Sequence, residues 1–454
     1  DESIYCWGDN TYQQIGTSTN AFAVSPVQVA SFVGLTDMAA GDAHMCVVLS
    51  NGTVECWGWN AFGQLGVAGN QNSGSPHLVT NLGPANQISA GQAHTCARMN
   101  QGLVNCWGAN DRGQLGNGSN ISNSQPTIVI GAVNIDEVAS GSNHNCARQS
   151  SGQVICWGDN REQQLGDGTT VTRYVRTLAN PTTEAVSLSM GQDHSCAVTS
   201  NQEVVCWGNN TYGQLGTAQT NARVHAVSVN ATDLDLGHNH TCVVDDSNNV
   251  QCWGANEDGQ IGEGTNEFDI IPNQYRYVEN LENITQVVQG QTHVCALQSS
   301  GLVFCWGQNL YGELGRGNYL DSLTPVQVVD ITDAVEIAAG LYHTCARRSS
   351  GEVMCWGWNF YGQVGDGTNF AKPRPTSVLG ISDARELALG AEFSCVVRQS
   401  SEILCWGRNS DGQLGNGNNT NQLTPVSVTN LSSVTSLSAG GYHACAVLNN
   451  GTVQ

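Results

Sequence analysis

Apolar and polar residues alternate in short runs along this chain. Val54-Glu55-Cys56-Trp57 and Val104-Asn105-Cys106-Trp107 put every second side chain on one face, the period of a half-buried strand. Further β-rich runs follow, such as Pro325-Val326-Gln327-Val328-Val329 and Val434-Thr435-Ser436-Leu437, and no stretch carries a helical period. Glycine-rich turns separate the runs at regular intervals. Short strands spaced this way predict an all-β fold of radial or stacked architecture.

The spacing is a true repeat. Cys-Trp-Gly-x-Asn begins at Cys6, Cys56, Cys106, Cys156, Cys206, Cys252, Cys305, Cys355 and Cys405, in steps of 46 to 53 residues. Gly-x-x-His-x-Cys precedes each later copy and ends the chain at Cys445; only the copy at Gly390 departs, with Phe393 in the histidine place. Gly-Gln-Leu-Gly follows, as at Gly63 to Gly66 and Gly113 to Gly116. Length alone suggests about three domains, but nine copies make residues 1–454 a single repeat domain.

Each opening cysteine lies ten residues before a closing one, giving Cys46–Cys56, Cys96–Cys106, Cys146–Cys156, Cys196–Cys206, Cys242–Cys252, Cys295–Cys305, Cys345–Cys355 and Cys395–Cys405. The offset sets the two opposite each other if the hairpin turns on three residues such as Ser50-Asn51-Gly52, a loop that ends on a left-handed residue. Gln202, Asn248 and Ser401 stand where the other copies have that glycine. Opposed residues sit roughly 4.5–5.5 Å apart, within reach of a disulfide. Zinc would call for closer pairs such as C-x₂-C. Cys6 and Cys445 remain as split halves of a ninth hairpin. They can meet in one molecule and close a ring, join head-to-tail between molecules, or await a chain that continues past Gln454. Asp1 to Tyr5 and Gly451 to Gln454 compete for one strand position before Cys6.

Gly-x-x-His-Thr-Cys-Ala, then Gly-x-Val-x-Cys-Trp-Gly-x-Asn, then Gly-Gln-Leu-Gly resembles the regulator of chromosome condensation repeat family over essentially the whole chain. The resemblance implies a β-propeller with one four-stranded blade per repeat of about 50 residues. The family usually has seven blades, so nine copies leave a closed ring or an open arc. A light-sensing branch carries Gly-Trp-Arg-His-Thr, whereas these copies read Gly-Gln-Ala-His-Thr or Gly-Leu-Tyr-His-Thr, without that tryptophan. The namesake activity, nucleotide exchange on a nuclear GTPase with chromatin binding, is disfavoured by compartment and charge.

Eight or nine disulfides persist only in an oxidising place, so the chain is expected outside the cell, at its surface or in a periplasm. Acidic residues outnumber basic ones by 38 to 16, for a net charge of −22, and Lys372 is the only lysine. That surface repels nucleic acid and anionic lipid. No apolar run is long enough to span a bilayer. Without an initiator Met or an apolar leader, the chain reads as a mature or trimmed product. Ten Asn-x-Ser/Thr sites, including Asn51, Asn120, Asn230 and Asn283, are compatible with glycosylation.

Candidate chemistry is sparse. Histidines 44, 94, 144, 194, 240, 293, 343 and 443 come once per repeat, so they read as structural groups bonded to backbone at a blade turn rather than as ligands or bases. His77, His225 and His238 fall outside that pattern, and His238 beside His240 is too little for a site. The nine repeat tryptophans read as packing, with the indole N–H bonded to backbone. Asp167-Gly168-Thr169, Asp366-Gly367-Thr368 and Glu263-Gly264-Thr265 can hold Ca²⁺ weakly, though a turn preference explains them better. No nucleophile elbow, phosphate loop or cofactor motif occurs. Trp59 and Trp358 are extra tryptophans and candidate contact residues. The stretches after Gly-Gln-Leu-Gly, such as Val67 to Ser75 and Glu263 to Tyr277, vary most. The expected function is a non-enzymatic surface, matrix or appendage scaffold that binds a protein, a glycan or copies of itself. The alternative is a soluble binding or inhibitor module, and a propeller hydrolase or lyase comes third.

Overall fold

The computed structural model describes residues 2–17, 22–180, 184–201, 204–211, 215, 225–227, 231–236, 240–266, 277–431, 433–439 and 441–449. Among them are strands in nine antiparallel sheets and no helix; eight sheets have four strands and the fifth blade has three. In the first blade the order from the axis outward is Leu35–Ala40, His44–Leu49, Val54–Gly58 and Ser73–Leu78. The two middle strands are buried almost throughout, because a neighbouring blade covers each face of the sheet. The inner and outer strands are partly exposed.

The middle strands form the hairpin expected from the cysteine spacing. Cys46 faces Cys56, and the Leu49 N–H closes the turn on the Thr53 carbonyl at 2.9 Å. Gly52 takes φ 82°, and Asn248 and Ser401, which replace that glycine, take φ 61° and 64°. Gln202 lies outside the described residues. Eight disulfides pair as the spacing requires, with Cα–Cα of 4.1–4.2 Å. This is tighter than the expected separation. Each pair occupies a non-hydrogen-bonded position, where antiparallel strands approach most closely.

Successive blades are joined by the repeat tryptophan. Trp107 of the second blade packs on Cys46, Cys56 and Leu65 of the first. Its Nε1 donates to the Gln64 carbonyl at 2.9 Å. The same bond links Trp157 to Gln114, Trp207 to Gln164, Trp306 to Gln260, Trp356 to Glu313 and Trp406 to Gln363. Closer to the axis, a carboxylate or amide on six of the described inner strands accepts a backbone N–H of the next blade, as Asp37 does from Ile88 at 2.8 Å and Glu137 from Leu188 at 3.1 Å.

The ring closes within one chain. The ninth sheet combines Val434–Ala439 and His443–Asn449 with Glu2–Asp9 and Phe22–Phe32. Glu2–Asp9 fills the strand position for which the two ends compete, and residues 450–454 lie outside the described residues. Trp7 packs on Cys395, Cys405 and Leu414, and its Nε1 reaches the Gln413 carbonyl at 2.7 Å. On the other side Ile4, Cys6 and Ile15 pack on Met45, Val47 and Trp57. The seam is therefore built like every other joint, and the open-arc alternative falls away.

Candidate interaction surface

The motif histidines are internal. His44, His94, His144, His293 and His343 each bond, through Nε2 at 2.8–2.9 Å, to a side chain of the next blade: Thr95, Asn145, Ser195, Thr344 and Ser394. This corrects the expected bond to backbone at a turn. It is the second residue that reaches backbone, as Thr95 does at the Gln64 carbonyl and Asn145 at the Gln114 carbonyl. Asn145 Oδ1 can only accept, so His94 carries its proton on Nε2. Burial drives these histidines down to about 3, or about 4 for His94, and leaves them neutral at physiological pH. Phe393 keeps the logic with apolar groups, packing in one cluster with Ala444, the residue that stands where six other blades have Thr, Asn or Ser. His77 is exposed on an outer strand; His238 and the His225 side chain lie outside the described residues.

The acidic loops are occupied by the protein itself. Asp167 accepts from Asn160, Thr169 and Arg173, and Asp366 accepts from Asn359 and Thr368 and pairs with Lys372 at 2.5 Å. These contacts, more than the burial that opposes them, hold both carboxyls below the usual range. No group of three metal-ligating side chains occurs among the described residues.

A belt around one end of the ring is built from three positions per blade, where most of the larger side chains are partly exposed while Ala43, Ala93, Ala109, Asp159 and Ala255 are buried. The three positions are the residue before the motif histidine and the third and sixth residues after the closing cysteine. Backbone bonds such as Trp59 N–H to Ala43 and Trp358 N–H to Tyr342, both 2.8 Å, bring them together. One arc of the belt is aromatic. Trp358 lies 5.9 Å from Tyr311, 5.8 Å from Tyr342 and 5.5 Å from Tyr361, measured between ring centroids. Arg408 follows, 4.7 Å above the Tyr442 ring and paired with Glu392. Across the seam, Trp59 lies between Tyr12 at 5.6 Å and Phe62 at 5.5 Å. Tyr12, Phe62 and Tyr442 are 42–43% exposed. The other arc carries Glu162, Asp193 and Asp258, with Asp159 buried and paired with Arg161. Burial raises Asp193 and Asp258, and neighbouring carboxylates add to it.

Trp59 and Trp358, the two contact candidates, thus lie at the centres of the two aromatic groups. Sequence reasoning missed Tyr311, Tyr342, Tyr361, Arg408 and Tyr442, whose common place in the repeat was the available signal. Two polar hollows adjoin the ring. One of about 500 Å³ near the axis is lined by Asp42, Gln92, Ser142 and Gln192. One of about 300 Å³ lies between the third and fourth blades, beside Arg161, Glu162 and Asn209. Cys6 and Cys445 stand opposite each other in the ninth sheet, in the register of the eight bonded pairs, and are the two free cysteines. The bond with Cys445 and burial push the Cys6 thiol well above its usual range.

The chain matches the RCC1-like domain over residues 223–454 and the regulator of chromosome condensation (RCC1) repeat over residues 1–48, 51–98, 101–148 and 151–198. Among curated proteins it is 40% identical over 65 residues to the ultraviolet-B receptor UVR8 of Arabidopsis thaliana, covering 14% of each chain. It is 36% identical over 67 residues to the probable E3 ubiquitin-protein ligase HERC4 of Rattus norvegicus, covering 15% of this chain and 6% of the relative. The matched segments therefore span a small part of either relative. Among solved structures, human WBSCR16 superposes with a TM-score of 0.56 at 17% identity, covering both chains fully. A chain of the complex of Kap60 with yeast RCC1 (Prp20) superposes with 0.51 at 18% identity, covering 98% of this chain and 88% of the other. Both likenesses concern the fold.

Proposed function

Because the chain belongs to the regulator of chromosome condensation repeat family, whose propellers are scaffolds for protein interaction, we propose that it is an extracellular, non-enzymatic interaction protein. The observation that carries this reading is the half-exposed aromatic arc around Trp59 and Trp358, held on a ring stapled in eight blades. Large rings on a rigid frame bind with little loss of side-chain freedom. The yeast propeller structure contains Kap60, which is precedent for the fold as a docking platform. The partner here is a protein or a glycan at a surface, matrix or appendage.

The seam supports a monomeric ring, the soluble binding module, over head-to-tail filaments, since each half of the split blade is already paired within its own chain. In an oxidising compartment Cys6 and Cys445 form the ninth disulfide. Thiol titration of denatured protein from its native source tests the compartment: no free thiol is expected, and eighteen would overturn it. Trp59→Ala and Trp358→Ala test the face. Native partners should cross-link to the wild type and be lost from the variants, whereas unchanged cross-linking would remove the aromatic arc from the function.

A further inference from the structure

The sixth repeat breaks a rule the others keep. In Gly-Gln-Leu-Gly, the glutamine carbonyl accepts a backbone N–H two residues back, as Gln64 does from Phe62 at 3.0 Å and Gln114 from Arg112 at 2.8 Å. The other branch is an N–H₂ donor, and in Gln114 it reaches Asn143, the residue before the motif histidine of the next blade. The sixth copy has Glu313. Its Oε2 takes the Tyr311 N–H at 2.8 Å. Its Oε1 puts an acceptor where the other repeats have a donor; that branch has no partner here, as it has none in Gln64, Gln363 and Gln413, so what sets this copy apart is a carboxyl that can carry charge in a residue 0% exposed. The residue that corresponds to Asn143 is Tyr342, inside the aromatic arc.

A buried carboxyl thus lies beneath the aromatic arc, bonded to the Tyr311 backbone and near enough to Tyr342 to help raise its hydroxyl. Asp258, Asp321 and Glu392 add negative charge around Tyr342 and Glu313. The next blade shows what this combination accepts. There the Arg408 guanidinium lies over Tyr442 and within 5.8 Å of Tyr361, with Glu392 as its counter-ion. One blade back, the place of Arg408 is filled by Trp358, so that position supplies no cation to the Tyr311 and Tyr342 rings. Ring faces and carboxylates together select guanidinium and ammonium groups. A net charge of −22 further favours a basic partner.

We propose that Tyr311, Tyr342 and Trp358 with Glu313 form a docking site for a cationic side chain, an arginine or lysine of a partner protein. This rests on the aromatic arc being the interaction surface and names the chemistry that surface selects. Glu313 confers a pH response. Burial first, then Asp321, lifts its carboxyl to about 7, so the site gains its charge as pH rises through neutrality. The titratable groups around Glu313 and Tyr342 are Asp258, Asp321, Glu392 and Tyr311; His293 and His343, held down to about 3, stay neutral throughout.

The test uses the full chain and the peptide acetyl-Gly-Arg-Gly-amide, followed by the Trp358 fluorescence change with Trp358→Phe as the blank. Affinity should rise about threefold from about pH 6 to about pH 8. Glu313→Gln, which restores the residue of the other repeats and so preserves folding, should abolish that rise. Glu282→Gln, an equal loss of charge at the hairpin end of the same blade, should keep it. Equal affinity of wild type and Glu313→Gln at high pH would overturn the proposal. Equal binding of acetyl-Gly-Leu-Gly-amide, lost in Trp358→Ala, would overturn the cationic assignment but leave the aromatic surface standing. Binding indifferent to Trp358→Ala with every probe would overturn both.

Discussion

The buried histidines make the ring sensitive to acid, and the size of the effect follows from where they sit. An unfolded histidine has the ordinary value of 6.5, whereas burial holds His44, His144, His293 and His343 to about 3 and His94 to about 4. Between those values the unfolded chain binds protons that the folded one does not, so stability is present above the unfolded value and is lost as pH falls. From about pH 7 to about pH 5, each such histidine costs about 2 kcal/mol. The five together cost about 10 kcal/mol, comparable to the whole stability of many domains. His343→Phe with Ser394→Ala copies the Phe393 and Ala444 pair that the chain already contains. At neutral pH this variant gives up two hydrogen bonds, His343 to Ser394 and Ser394 to the Gln363 carbonyl, together about 2 kcal/mol. At about pH 5 it escapes a proton penalty of about the same size and should be about as stable as wild type. Denaturant unfolding at the two pH values, followed by tryptophan fluorescence with disulfides intact, measures the convergence. Parallel loss of stability in both proteins would refute the reasoning, as would an NMR titration placing His343 near its ordinary value.

The remaining predictions concern the seam, the joints and the loops. Non-reducing peptide mapping of oxidised protein should yield one Cys6–Cys445 peptide from monomer, and the same link found only in dimers or higher forms would contradict intramolecular closure. Trp7→Phe leaves the buried Gln413 carbonyl without its 2.7 Å donor and should cost about 1–3 kcal/mol in melting experiments, whereas Trp107→Phe should cost less, because the Gln64 carbonyl keeps the Thr95 hydroxyl. Gly365→Ala should be destabilising by more than about 1 kcal/mol, because Gly365 has φ +78° and a Cβ there would lie 2.7 Å from Trp406 Nε1. Chelation with EDTA should leave the melting temperature unchanged, since Arg173 and Lys372 already neutralise Asp167 and Asp366.

Repetition made much of this protein legible in one dimension. A period of about 50 residues with alternating strands determined the blades. The ten-residue cysteine offset determined the hairpins and eight staples, because a three-residue turn admits one register. These are local consequences of chain geometry, so Cys46 could be assigned to Cys56 without knowing what covers either. Relations between blades were decided only by the tertiary structure. Ring closure depends on whether Trp7 finds Gln413 across the whole length of the chain, and no local pattern states that. The histidines looked like turn residues, yet five of them bond to a hydroxyl or amide of the next blade. Tyr311, Tyr342 and Trp358 come from different segments and become one surface because successive blades present the same three positions on the same end of the ring. The departure at Glu313 was visible as a letter in the sequence. Its consequence was decided by the fold, which seals the carboxyl from water and so lifts it to about 7.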